Sequence, residues 1–116
     1  MRHIRIALGG LVAALVWATP ALAQQPLKIG LILPYTGQFT DASAQMDDAI
    51  KLYIKQHGDT VAGRKIEIVR RDDAGSPDVA KRMGRELVVN DNVDILAGFV
   101  ITPEALALAD VATEAK

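Results

Sequence analysis

Hydrophobic and polar positions divide the chain into short apolar runs and longer stretches of helical period. Leu27 to Leu33 is a seven-residue, mostly apolar run stopped by a Pro34-x-x-Gly37 break. A run this short, closed by proline and glycine, reads as a buried strand entering a loop, Pro34 to Thr40. It lacks clean alternation, as expected of a strand covered on both faces. From about Ala42 to His57, the residues Met46, Ala49, Ile50, Tyr53 and Ile54 fall on one helical stripe. Thr40 or Asp41 can cap that helix, Asp47 and Asp48 precede Lys51 and Lys55 along its axis, and Gly58 ends it. Asp59 to Arg64 reads as a turn around Gly63. Lys65 to Arg71 partly alternates, with Ile66, Ile68 and Arg70 on one side and Glu67, Val69 and Arg71 on the other. That pattern marks an edge or near-edge strand.

The same two-part unit then recurs. Ser76-Pro77-Asp78 supplies a capping hydroxyl, a proline at the first helical position and an acid in the first turn. The helix it opens carries Val79, Ala80, Met83, Leu87 and Val88 as its buried stripe and stops at Asn90 to Asn92. Val93 to Ala97 reads as a third strand, with Gly98 to Ile101 as its exit loop. Thr102-Pro103-Glu104 repeats the helix start signal, and this last helix runs on to the end of the sequence.

The order βαβαβα predicts an α/β fold: an open parallel sheet with helices on both faces, joined by right-handed crossovers. Strand order 2-1-3 puts a switch point between the first and third strands, flanked by the loops Pro34–Thr40 and Gly98–Thr102. The first and third helices start there, with free backbone N–H groups and positive dipole ends. An anionic group is favoured at such a place.

Residues 1–23 do not fit this scheme. Arg2 and Arg5 make a basic head, Ile6 to Ala18 is apolar throughout, and Ala21-Leu22-Ala23 is a small-x-small cleavage site. These are the parts of a secretory signal peptide. Thirteen apolar residues reach only roughly 20 Å as a helix, short of the roughly 30 Å a membrane anchor needs. With no cysteine at the cleavage site there is no point for lipid attachment. The expected mature protein, residues 24–116, is exported to the periplasm and not inserted in the membrane. It keeps eleven basic and fourteen acidic residues, a formal charge of −3.

Composition narrows the chemistry. The 116 residues suffice for one small domain, and half of them are apolar. A net charge of −1 provides no basic field for nucleic acid. The absence of cysteine excludes disulfides, thiolate catalysis and cysteine-ligated zinc. No Gly-x-Gly-x-x-Gly, phosphate-loop or Gly-x-Ser-x-Gly motif is present, so the sequence offers no catalytic constellation and implies no cofactor or metal. Three strands leave a sheet edge open. The chain is therefore expected to be the front piece of something larger, and marginal in stability when alone.

Five residues are candidates for holding a ligand. Thr102, with Ile101 just before it, stands at the switch point, where its hydroxyl and the N–H groups behind it could receive a carboxylate. The same hydroxyl could equally be a plain helix cap. Tyr35, Gln38 and Phe39 lie in the opposite loop, where aromatic residues commonly line pockets. Phe39 could also staple the first helix. Asp72 and Asp73 lack the further acids a metal site needs. They read as a solvated loop in which one acid bonds backbone N–H groups.

The segment Ile29-Gly30-Leu31-Ile32-Leu33-Pro34-x-Thr36-Gly37-x-Phe39 resembles the opening of periplasmic solute-binding proteins of the leucine/isoleucine/valine type. The likeness continues through Gly63-x-Lys65-Ile66-Glu67-Ile68, Asp72-Asp73, Pro77, Glu86-Leu87-Val88 and Val93-Asp94-Ile95-Leu96-Ala97-Gly98, essentially the whole of residues 24–116. The resemblance implies two α/β lobes with ligand bound between them, and a role in passing solute to the permease of an ATP-driven (ABC) importer. It implies that Thr102 receives the ligand carboxylate, while the absent catalytic motifs argue against an exported α/β enzyme. Pro34 to Phe39 together with Ala97-Gly98-Phe99 looks like members that carry aromatic carboxylates. The ligand-sensing domain of an exported receptor is the alternative.

Overall fold

The computed structural model describes residues 24–115. The proposed signal peptide, residues 1–23, lies outside the described residues. In order, the elements are β1 (Leu27–Leu33), α1 (Thr40–His57), β2 (Thr60–Val61), β3 (Arg64–Asp72), α2 (Pro77–Val89), β4 (Ile95–Gly98) and α3 (Thr102–Glu114).

The sheet order is β2-β3-β1-β4, with β1 parallel to both β3 and β4. The three long strands thus stand in the expected 2-1-3 order. One element was not foreseen. The segment read as a turn forms a short hairpin, with β2 antiparallel to β3 through Thr60↔Lys65 and Val61↔Arg64. Its two-residue connection has both residues at positive φ, Ala62 at 48° and Gly63 at 78°. That is the twist a tight hairpin needs, and at Ala62 it is taken against the preference of its Cβ. The third long strand also starts later than its apolar run, because Val93 and Asp94 are held outside it. Asp94 N–H donates to the Lys28 carbonyl at 2.8 Å, and the Asp94 carboxylate accepts Lys28 N–H at 2.9 Å.

The register assigns the faces. Ile29 pairs with Ile68 and Leu27 with Ile66, so these side chains share one side of the sheet. There Ile29, Ile66 and Ile68 face Ala49, Ile50, Tyr53 and Ile54 of α1 across an apolar cleft of about 410 Å³. Gly30 and Ile32 face the other side, against α2 and α3. Ile32, Ala80, Leu87, Leu108 and Val111 form the buried core there, with Val69, Met83 and Leu96 packed on it. Close approach is built into this side: a Cβ on Gly84 would lie 2.0 Å from Leu108 Cδ2, and one on Gly30 would lie 2.8 Å from Leu87 Cδ1. The alternation expected of β3 holds at its end. Arg70 reaches Asp47 on α1 at 2.8 Å, and Arg71 reaches Asp91 after α2 at 2.6 Å.

Candidate functional site

All three exit loops gather at the carboxyl edge of the sheet, because β1, β3 and β4 run parallel. Asp72, the last residue of β3, ties two of them together. Its Oδ1 accepts N–H groups from Tyr35 at 2.9 Å, Thr36 at 3.3 Å and Ala74 at 2.9 Å, and its Oδ2 accepts the Thr36 hydroxyl at 2.8 Å. Burial alone would raise this carboxyl. The donors from Ala74, Thr36 and Tyr35 outweigh it and hold Asp72 below the usual carboxylate range. Asp73 is not the solvated partner expected. It is fully buried, and its N–H donates to the Leu33 carbonyl at 3.4 Å.

The β4 exit is fixed by backbone contact. Gly98 has φ of 114°, and a Cβ there would stand 2.0 Å from the Ile32 carbonyl oxygen. Only glycine fits this approach. Phe99 N–H donates to the same carbonyl at 3.0 Å. The β1 and β4 exits are thus locked side by side, and the start of α3 follows three residues on.

The helix starts depart from the capping that residue type suggested. At α3 the cap position belongs to Ile101, and Thr102 is the first helical residue. Ile101 has no side-chain acceptor. Its carbonyl accepts Glu104 N–H at 3.1 Å, and the Glu104 carboxylate accepts Ile101 N–H at 3.2 Å. Only the glutamate half of a capping box is therefore made. The Thr102 hydroxyl is left exposed and makes no capping bond. At α1 the cap position is Phe39, and the Thr40 hydroxyl instead donates back to the Gly37 carbonyl at 2.7 Å. Ser76 does occupy the cap position of α2, but its hydroxyl makes no capping bond.

The remaining candidates divide. Gln38 is exposed at the tip of the first loop. Phe39 lies against the neighbouring loop: a Cβ on Gly75 would meet its ring at 3.1 Å. Tyr35 turns toward the α1 side. Its buried hydroxyl lies near Asp47 and Arg70 without a bond of full hydrogen-bond geometry, and burial, with the Asp47 charge, raises its pKa. Beside it, burial would raise Asp47, but Lys51 at 3.0 Å and Arg70 hold it below the usual range. Thr102 and Ile101 therefore stand at one rim of the edge and Gln38 in the loop opposite, while Tyr35 and Phe39 are occupied with neighbouring segments.

The sequence marks Glu104 only as part of a helix start signal. It is fully buried at the start of α3, in a position where an acid ordinarily reads as an exposed dipole partner. A concave region of about 600 Å³ lies elsewhere, between β4 and the ends of α2 and α3 around Val88, Val93, Leu96 and Ala112. It has neither helix N-termini nor converging donors, so the carboxyl edge is the better candidate site despite its openness. Among the described residues, no group of three or more His, Asp or Glu could hold a metal ion, and no helix is long and apolar enough to cross a membrane.

Comparison with known proteins places this geometry. A sequence model described as "Periplasmic binding protein" matches residues 26–116. The Leu/Ile/Val-binding protein homolog 6 of Brucella abortus (strain 2308) is 34% identical over 108 residues, 92% of this chain and 27% of that protein. An ABC transporter solute-binding protein from Rhodopseudomonas palustris BisB5, solved with 3,4-dihydroxybenzoic acid, is 57% identical. It superposes with a TM-score of 0.75 over 78% of this chain and 24% of its own. A second solute-binding protein from R. palustris, solved with 4-hydroxybenzoate, is 30% identical with a TM-score of 0.74, over 79% of this chain and 25% of its own. A leucine-binding protein from Thermotoga maritima MSB8 is 26% identical with a TM-score of 0.71, over 76% and 25%. The chain spans about a quarter of the length of these relatives.

Proposed function

The chain belongs to the periplasmic binding protein family, and from that membership we propose that it works as part of the solute-binding component of an ABC importer. The solute is a small carboxylate, delivered to the membrane permease. The observation that carries this reading is the carboxyl edge itself. The start of α3 stands beside the locked exits of β1 and β4, with the Thr102 hydroxyl exposed and engaged in no cap. A helix N-terminus with a free hydroxyl favours an anionic oxygen acceptor. The solutes of the structural relatives, two hydroxylated benzoates and, by name, leucine, all carry a carboxylate. The aromatic acids are the better fit, since the most identical of these three relatives holds one.

Thr102 receives the carboxylate together with backbone N–H groups behind Ile101, and Gln38 closes from the opposite loop. Tyr35 and Phe39 act by shaping that loop. The second wall of the cleft comes from an opposing lobe, so binding is measured on the full-length gene product. Residues 1–23 direct export and are removed, and residues 24–116 belong to the first lobe. The protein is periplasmic, free of lipid, and catalyses no reaction.

Calorimetric titration of wild type, Thr102→Ala and Thr102→Ser tests the site. A hydrogen bond to a charged group contributes about 1.5–3 kcal/mol, so alanine should weaken binding roughly 10- to 150-fold. Serine should keep most of the affinity. Because the hydroxyl makes no cap, the alanine variant should melt within about 0.5 kcal/mol of wild type. Unchanged affinity in Thr102→Ala would remove Thr102 from the site. Export is read separately by mass spectrometry of periplasmic extract, where Gln24 should be the first residue.

A further inference from the structure

Among the described residues, Ala62, Ala74, Asn92 and Phe99 take positive φ without being glycine. Three of them have a local reason. Asparagine tolerates this region, Ala62 sits in the two-residue connection of the hairpin, and Ala74 shares a tight turn with Gly75. Phe99, at 71°, is different. A bulky side chain is seldom found there, because its Cβ crowds the following carbonyl oxygen. Such strain persists only where the surroundings over-determine the backbone. Around Phe99 they do. Gly98 lies hard against the Ile32 carbonyl, Phe99 N–H donates to that same carbonyl at 3.0 Å, and the partly buried Phe99 side chain packs on the cluster of Ile32, Ala80, Leu87, Leu108 and Val111.

We propose that Phe99 is a positioning residue of the carboxyl edge: its ring, seated on the α2–α3 core, holds the left-handed turn from which Ile101 and Thr102 start α3. The turn is pinned on both sides. Before it, Phe99 N–H is bonded to Ile32, the next-to-last residue of β1. After it, Ile101 N–H is bonded to the fully buried Glu104 carboxylate at 3.2 Å. Only Val100 lies between. Thr102 is therefore set against the sheet before any ligand arrives, and binding does not have to order the segment that carries it. Core packing alone asks for none of this, because an aromatic side chain can reach a core from an ordinary extended residue. The use made of the turn rests on the anion site proposed above; the turn itself is read with no ligand present.

The test pairs amide hydrogen exchange of the unliganded full-length protein with calorimetric titration of 3,4-dihydroxybenzoate. Phe99→Gly suits the left-handed backbone but removes the ring. Its Ile101 amide should exchange faster than in wild type. Its affinity should fall about fivefold, the free energy of ordering one released glycine backbone. Phe99→Leu keeps an apolar side chain on the core and should restore slow exchange and most of the affinity. Val69→Ala is the control for packing alone, since Val69 joins the same cluster from the middle of β3. It should lower the melting temperature yet leave the Ile101 amide and the affinity as in wild type. If Phe99→Gly fails to fold, Phe99→Ala, which keeps the Cβ and loses the ring, gives the same reading. Thr102→Ala, titrated alongside, keeps two failures apart. Affinity lost in Thr102→Ala but kept in Phe99→Gly, with Ile101 exchange unchanged, would overturn the role of Phe99 and leave the site standing. Affinity kept in Thr102→Ala would remove the site, and Ile101 exchange would still decide whether Phe99 holds the turn. Equal changes in Val69→Ala and Phe99→Gly would reduce Phe99 to core packing and overturn the proposal.

Discussion

The two faces of the sheet are built differently. On the α2–α3 side, two helices press on β1 so closely that Gly30 and Gly84 have no room for a Cβ, and Ile32, Leu87 and Leu108 are almost wholly buried. On the other side α1 lies alone. Met46, Leu52 and Tyr53 remain 39%, 54% and 60% exposed, and an apolar cleft of about 410 Å³ separates the helix from Ile29, Ile66 and Ile68. The fixed points of α1 are polar: the Asp47–Arg70 ion pair, and the Ser43 hydroxyl donating to the Pro34 carbonyl at 2.8 Å. Close packing determines the positions of β1, β4 and α3, the elements that make the candidate site. Directed polar contacts determine where α1 begins and where its loop lies.

The contrast breaks most clearly under large-to-small substitution. Leu87→Ala should destabilise by about 2–5 kcal/mol, the range for a fully buried leucine. Leu52→Ala, on the loose helix, should change stability by no more than about 0.5 kcal/mol. Denaturant melts of the two variants measure the difference, and equal losses would erase the asymmetry.

Next in size is the Asp72 clamp between the loops. Asp72→Ala removes an acceptor used by three N–H groups and one hydroxyl, and should cost about 2 kcal/mol at neutral pH. The folded carboxyl is held low, so its contribution is present above the ordinary value and lost as pH falls through the folded one. The gap between wild type and Asp72→Ala should thus narrow in acid. A gap that widened would reverse the assignment.

The Asp47–Arg70 pair should contribute less, because the Arg70 side chain is 39% exposed and Lys51 is 60% exposed. Asp47→Asn should cost about 1 kcal/mol, near the upper end for solvent-screened pairs. Raised salt should shrink that cost, whereas the Leu87→Ala loss should not shrink. The smallest effect is a gain. Ala49→Leu extends an apolar side chain into the cleft beneath α1 and should add up to about 1 kcal/mol, read as a higher melting temperature. The same substitution at Ala80, fully buried under α2, should destabilise through overpacking.

Much of this was legible in the residues, for identifiable reasons. Period alone separates the β1 run from the α1 stripe, and the Ser76-Pro77 and Thr102-Pro103 signals locate two helix starts to within a residue. The 2-1-3 order is the one expected for a sheet with a switch point beside its first strand, and the long strands have it. Two kinds of feature were not legible. The β2 hairpin needs Ala62 at positive φ, which its residue type argues against. The burial of Asp73 and of Glu104 depends on how separate segments pack, and neither residue has a periodic signature. Capping was misjudged because propensity describes residues on average. At Ile101 a carbonyl and the Glu104 carboxylate one turn on do the work expected of the Thr102 hydroxyl. Tyr35 and Phe39 were rightly placed in the loop, but which way each ring turns depends on Arg70 and Gly75, which come far later in the chain.

The central claim is that the carboxyl edge, with Thr102 at its rim, receives a carboxylate. The most direct test is calorimetric titration of the full-length protein with 3,4-dihydroxybenzoate, benzoate and leucine, each alongside its neutral amide. The account predicts that the preferred acid binds at least about tenfold more tightly than its amide, the least expected for one charge-assisted hydrogen bond. An amide that binds as tightly as its acid would contradict it.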